Sequence, residues 1–141
     1  HDIATTEFNN ALLKKLRSSR PIIANKLWSL VLSTVSTLFT QMRGETSIVA
    51  KGKDGFTVNG KPVESLSGST LDILGASIRI ALMKTFIPHA TFMVLDEPAA
   101  AMDEERTAML LATLSSVGVS QIIMSTHETI SEALSTNVFQ L

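Results

Sequence analysis

Cysteine is absent from the 141 residues, which excludes disulfides and thiolate metal sites. No apolar run of eighteen residues goes unbroken. The nearest approach, residues 22–39, is interrupted by Asn25, Lys26 and several serines and threonines. A transmembrane helix is therefore not expected, and no membrane partner with it. No signal peptide is visible, so a cytoplasmic location is the expectation. Internal repeats and low-complexity stretches are missing too. What is present is globular: 45% hydrophobic and 18% charged residues, in a length that suits one domain with a core of its own. The first residue is His1 rather than methionine, which suggests a segment of a longer protein.

The net charge of −1 is unevenly spread. Residues 1–43 carry Lys14, Lys15, Arg17, Arg20, Lys26 and Arg43 against Asp2 and Glu7, a net +4. The remainder carries six basic and eleven acidic side chains, a net −5. A basic arm on an acidic body suits contact with a polyanion such as DNA, and equally suits a solvated helix face.

Periodicity outlines the elements. Phe8, Leu12 and Leu16 fall four apart on a helical stripe. Ser18-Ser19-Arg20 ahead of Pro21 predicts a break, with Pro21 opening a second helix. That helix runs through Ile23, Leu27 and Leu38 to Met42, and Gly44 ends it. Residues 46–50 predict a short strand, Asp54-Gly55 a hairpin turn, residues 56–58 a second strand and Asn59-Gly60 another turn. Apolar positions 71, 74, 78, 81/82 and 85/86 predict an amphipathic helix that Pro88 stops. Residues 91–95 and 121–124 are continuous apolar runs, the pattern of strands buried on both faces. Between them Asp103 is placed to N-cap a helix that Gly118 closes. A short helix near residues 130–134 and a strand at 138–141 complete the reading. Strands alternating with helices argue an α/β fold with a mostly parallel sheet and flanking helices.

The chemistry-bearing residues sit at element ends. Asp96-Glu97 closes an apolar strand, where α/β sheets place ligand chemistry. One carboxylate can hold hydrated Mg²⁺ while its neighbour, turned to the other side, faces an attacking water; this makes Asp96 the metal residue and Glu97 the general base. A strand-terminating acidic turn before Pro98 is the plainer alternative. His127 follows the second apolar strand and could sense a γ-phosphate, or simply cap the strand. Ser67-Gly68-Ser69 precedes a helix, where free N–H groups favour an anion, or where Ser67 merely N-caps. Residues 55–62 imitate a phosphate loop, G-x-x-x-x-G-K-[ST], but the last position is Pro62. It offers no hydroxyl for Mg²⁺, and no helix follows Lys61 directly, so the segment reads as two hairpin turns.

Order and spacing say more than any one motif. Leu66-Ser67-Gly68-Ser69-Thr70 is followed by Asp96 twenty-six residues after Thr70, Asp103 five beyond Pro98, then Ser125-Thr126-His127. Together they resemble the signature loop, Walker B strand, D-loop and switch histidine of an ABC-type ATPase. The chain is similar to the C-terminal ATPase lobe of the SbcC/Rad-fifty family of DNA-repair ATPases, over nearly its whole length. Residues 66–70 match the family's L-S-G-G-[QE], residues 96–103 its D-E-P-T-x-x-L-D, and Arg79 an arginine frequent in the signature helix. Ser69 in place of glycine and Thr70 in place of Gln or Glu are departures; they point to a divergent member, of the kind a tailed phage carries in its host's cytoplasm.

The resemblance implies a nucleotide site of ATP and Mg²⁺. Glu97 and His127 would be catalytic, Asp96 would hold the metal, and Leu66, Ser67, Gly68, Ser69 and Asp103 would contact nucleotide across a head-to-head dimer. It implies as partners an N-terminal lobe carrying the true phosphate loop, a second head, an SbcD-type nuclease subunit and DNA. Residues 3–43 would be the returning base of a coiled coil, and residues 44–141 the ATPase lobe. An SMC- or RecF-type clamp head fits less well, because those heads usually read D-E-V-D or D-D where this chain has Asp96-Glu97-Pro98. A transporter nucleotide-binding domain accommodates Asp-Glu-Pro but not the long helix and hairpin leading into the signature. A binding module without activity of its own remains the fourth reading.

Overall fold

The computed structural model describes residues 2–127. The reading of a helix near 130–134 and a strand at 138–141 lies outside them. The first element, α1, runs unbroken from Asp2 to Arg43, with Pro21 inside it. The expected break at 18–20 is thus corrected. Proline removes one N–H and crowds the carbonyl four residues back, a cost of about 3 kcal/mol in a helix interior. Here Pro21 is exposed, so water can reach the freed carbonyl, and the Ser18 and Ser19 hydroxyls donate to the Lys15 carbonyl one turn earlier.

The chain divides into two compact units between Leu30 and Val31. In the first, Ile3, Phe8, Leu12, Leu16, Ile23 and Leu27 are all exposed. In the second, the remainder of α1 buries Val31, Val35, Leu38, Phe39 and Met42. Packing therefore changes at Val31, twelve residues before the helix ends. By length and composition alone α1 could cross a membrane, its apolar window reaching a mean hydropathy of 1.4. From Val31 onward its large apolar side chains are instead spent on the core.

After α1 comes a three-stranded antiparallel sheet of β1 (Val49–Lys51), β2 (Phe56–Val58) and β3 (Lys61–Pro62). The first strand begins three residues later than expected, because Ser47 and Ile48 are engaged by side chains. Ser47 exchanges hydrogen bonds with the Thr40 hydroxyl, and the Ile48 N–H donates to Asn59 Oδ1 at 2.8 Å. Val58 pairs with Lys61 across Asn59-Gly60, whose φ values of 50° and 78° are both left-handed. That is the two-residue hairpin turn favoured by Asn-Gly. Gly60-Lys61 is therefore hairpin, as expected, and no phosphate loop.

A 3₁₀ turn (Val63–Ser65) leads into α2 (Gly68–Phe86). Its buried face is Ile73, Leu74, Ala76, Ser77, Ile80 and Ala81, rotated from the stripe read in sequence. Small residues at 76 and 77 allow close packing there, and Leu71, Leu82 and Phe86 are left exposed. Two parallel strands follow, β4 (Phe92–Asp96) and β5 (Gln121–Ser125), joined through α3 (Glu104–Ser116) and registered Asp96 to Ser125. Neither strand is buried on both faces, which corrects the sequence reading. Met93 and Leu95 point into the core, whereas Phe92, Val94 and Ile123 are 61%, 62% and 51% exposed.

Candidate active site

The carboxyl ends of β4 and β5 bring three of the expected residues together. Asp96 is the last residue of β4, and its Oδ1 accepts a hydrogen bond from Ser125 Oγ on β5. Glu97 has left the strand with φ +41°, a left-handed conformation that costs a non-glycine residue about 1–2 kcal/mol. Two bonds hold it there: its N–H is shared by the Ser125 carbonyl at 3.1 Å and Ser125 Oγ at 3.0 Å. The Glu97 carboxylate meets His127 Nε2. Sequence reading placed both residues on the strand end; Glu97 lies just past it, in this left-handed turn. Strain of this kind persists where surrounding bonds over-determine it, and such places cluster at functional sites. Ser125, seen in sequence only as part of a motif, anchors both acidic residues, a consequence of the β4–β5 register.

A second cluster lies around the start of α2. Ser67 N-caps the helix, accepting from the Thr70 N–H at 3.4 Å while its hydroxyl pairs with that of Thr70 at 2.8 Å. The first N–H groups of any helix lack intrahelical partners, and they carry the positive end of its dipole. Gly68 lies close to the loop after β4: a Cβ placed there would stand 3.4 Å from the Ala101 Cβ. Leu66 sits just before the cap, following the 3₁₀ turn.

The loop from Glu97 to Asp103 connects the two clusters. It folds through turns closed by Glu97 and Ala99 carbonyls, and Pro98 and Met102 are buried. The Ala101 N–H donates to Asp72 Oδ2 on α2 at 2.8 Å. Asp103 then N-caps α3, its Oδ1 accepting from the Arg106 N–H at 2.8 Å, and the Arg106 guanidinium donates to Ser69 Oγ. Asp72 and Arg106 carry no local signal beyond their charge, so sequence reading passed over both.

As for a metal, the described residues hold no group of three or more histidine, aspartate or glutamate side chains. Asp96 offers a single carboxylate at a strand end. That suits a hydrated Mg²⁺ whose other ligands come from phosphate oxygens and a phosphate-loop hydroxyl, and does not suit an all-protein cage.

No family model matches the chain. Among curated proteins, it is 35% identical over 69 residues to the DNA double-strand break repair Rad50 ATPase of Saccharolobus solfataricus, across 48% of this chain and 8% of that protein. With the Sulfurisphaera tokodaii Rad50 ATPase it shares 31% identity over 134 residues, across 82% of this chain and 15% of that protein. Among solved structures it superposes on one from work on the ATP-driven dimerization and DNA-stimulated activation of SMC ATPases. There the TM-score is 0.68 at 17% identity, covering 82% of this chain and 78% of that one. An SMC head bound to the C-terminal winged-helix domain of ScpA gives 0.65 at 15% identity, over 83% of this chain and 40% of that one. By sequence the chain belongs with the Rad50 ATPases, and it shares the fold of the SMC heads. It spans about a tenth of the length of the curated Rad50 relatives it matches.

Proposed function

We propose that this chain forms the signature-bearing lobe of an ATP-hydrolysing head, in a protein that repairs DNA double-strand breaks and controls a partner nuclease through ATP-driven head dimerisation. The observation that carries the catalytic part is the convergence of Asp96, Glu97 and His127 at one sheet edge, with Glu97 held in a strained turn by Ser125. In this reading Asp96 holds the Mg²⁺ that neutralises phosphate charge. Glu97 takes the proton from the attacking water, and His127 keeps the Glu97 carboxylate oriented and senses the γ-phosphate. Catalysis of phosphoryl transfer is chiefly positioning and charge stabilisation, which is what these fixed side chains provide.

Half the nucleotide site is to come from elsewhere. The exposed Phe92, Val94 and Ile123 form an apolar stripe on the outer face of β4 and β5. A contiguous stripe of this kind favours burial against another layer. It supports docking of a lobe that carries the phosphate loop. Ser67, Gly68 and Ser69 would then serve the nucleotide of a second head, with Asp103 beside them, so that two heads enclose two ATP molecules in a two-fold arrangement. The exposed apolar side chains of residues 2–30 suit the return strand of a coiled coil, and its lysines and arginines suit nearby DNA. A nuclease subunit of the SbcD type and a cytoplasmic setting complete the proposal.

The test is the full-length protein with its nuclease partner. ATP should drive head dimerisation in a sizing experiment, and Glu97→Gln should retain the dimer while losing turnover. Dimerisation indifferent to ATP would overturn the proposal.

A further inference from the structure

The Ser69–Arg106 contact is not accounted for by the family pattern. Ser69 stands where that pattern has glycine, which has no side chain to accept a hydrogen bond. In this chain the position presents a hydroxyl, and a guanidinium from 37 residues away donates to it. We propose that Ser69 and Arg106 act as a matched pair locking the signature loop to the D-loop helix, with Arg106 a positioning residue for ATP-driven head association. The inference rests on the function proposed above and deepens it.

Arg106 is the third residue after the Asp103 cap, and its own N–H is taken by Asp103 Oδ1 at 2.8 Å. Its backbone is therefore pinned at the same point that orients Asp103. From there its side chain crosses to the first turn of α2. Asp72, one turn further along α2, accepts from the Ala101 N–H at 2.8 Å, and Gly68 lies against Ala101. The core packing of α2 holds the body of the helix, and the Asp72–Ala101 bond ties it to the loop at one point. A second bond, from Arg106 to Ser69, fixes the first turn as well, so Ser67 and Asp103 present to a partner head as one body. Both side chains are part-buried, so the charge-assisted bond is only partly screened. A cation near the amino ends of α2 and α3 is electrostatically unfavourable, and the Ser69 oxygen offsets part of that cost.

The pair predicts coupling rather than two independent effects. In the full-length protein, Ser69→Gly and Arg106→Met should each raise the head concentration for half-maximal ATP-induced dimerisation about tenfold, the loss expected for one charge-assisted hydrogen bond. The double variant should be no worse than either single one, since each already removes the whole interaction. Arg106→Lys, which keeps a donor, should recover part of the loss. Sedimentation across a concentration series reads the association, and thermal melting of the same samples reads folding. Additive losses in the double variant, singles within twofold of wild type, or losses that simply follow a lowered melting temperature would each overturn the pairing. Wild type that does not dimerise with ATP would instead overturn the proposed function, and the pairing with it.

Discussion

Replacing Glu97 by glutamine isolates the proton-accepting role from everything else this residue does. The backbone demands at position 97 are unusual: φ is +41°, and the N–H is divided between the carbonyl and hydroxyl of Ser125. Glutamine meets those demands as well or as badly as glutamate, so the strain of about 1–2 kcal/mol is unchanged. The amide also fills the same volume beside His127. What it cannot do is take a proton from water. Losing a positioned general base costs roughly 100-fold or more in rate, about 2.7 kcal/mol in the barrier. Steady-state turnover of the full-length protein with Mg-ATP should therefore fall by at least about that factor, while sizing still shows the ATP-bound dimer. Turnover within about threefold of wild type would refute the assignment of Glu97. A companion variant checks the strain itself. Glu97→Gly relieves about 1–2 kcal/mol of left-handed strain and forfeits about 0.5–1 kcal/mol through the freedom glycine gains when unfolded. Urea denaturation should find it as stable as wild type, or more stable by up to about 1.5 kcal/mol, and catalytically dead. A clear loss of stability would mean the turn at Glu97 is not strained as described.

Four further outcomes follow from particular contacts. The isolated chain should show no appreciable heat of Mg-ATP binding in calorimetry, because a phosphate loop supplies most ground-state phosphate contacts; micromolar binding would contradict the division of the site between lobes. Ser67→Arg should block ATP-induced dimerisation of the full-length protein by bulk and misplaced charge at the start of α2, and a dimer formed as readily as in wild type would cost residues 66–70 their assignment. Asp72→Ala should lower stability by about 0.5–1.5 kcal/mol in urea titrations, the net worth of one exposed hydrogen bond, and no loss would mean that Asp72 does not hold the loop. Phe39→Ala, at a fully buried position in α1, should cost about 3–5 kcal/mol, so a smaller loss would mean the core after Val31 is loosely packed.

The parts of the molecule legible in sequence are those decided locally. Ser67 and Asp103 read as helix caps because a short oxygen side chain at a helix start has one strong use, and both cap in the structure. Asn59-Gly60 read as a turn because few other residues tolerate consecutive left-handed positions. The misreadings came where a local rule met a neighbour it could not see. Pro21 ordinarily ends a helix, but at an exposed site the stranded carbonyl is open to water and α1 continues to Arg43. Arg106 carries no motif of its own in sequence, and its partner Ser69 reads only as a departure from a glycine motif. Neither could be valued without the other, since the bond joining them spans 37 residues. The strands carry the most instructive error. A continuous apolar run at residues 91–95 argues burial on both faces, yet Phe92 and Val94 face outward, as Ile123 does on β5. The pattern is one of side chains suited to a covered face, and exposing three of them to water forgoes on the order of 1.5–3 kcal/mol each. A sequence keeps such residues at a sheet surface when something covers them. The mismatch between the strand's pattern and its exposure therefore supports the docking of a second lobe on this face, which the sequence motifs alone suggested only through the absence of a phosphate loop.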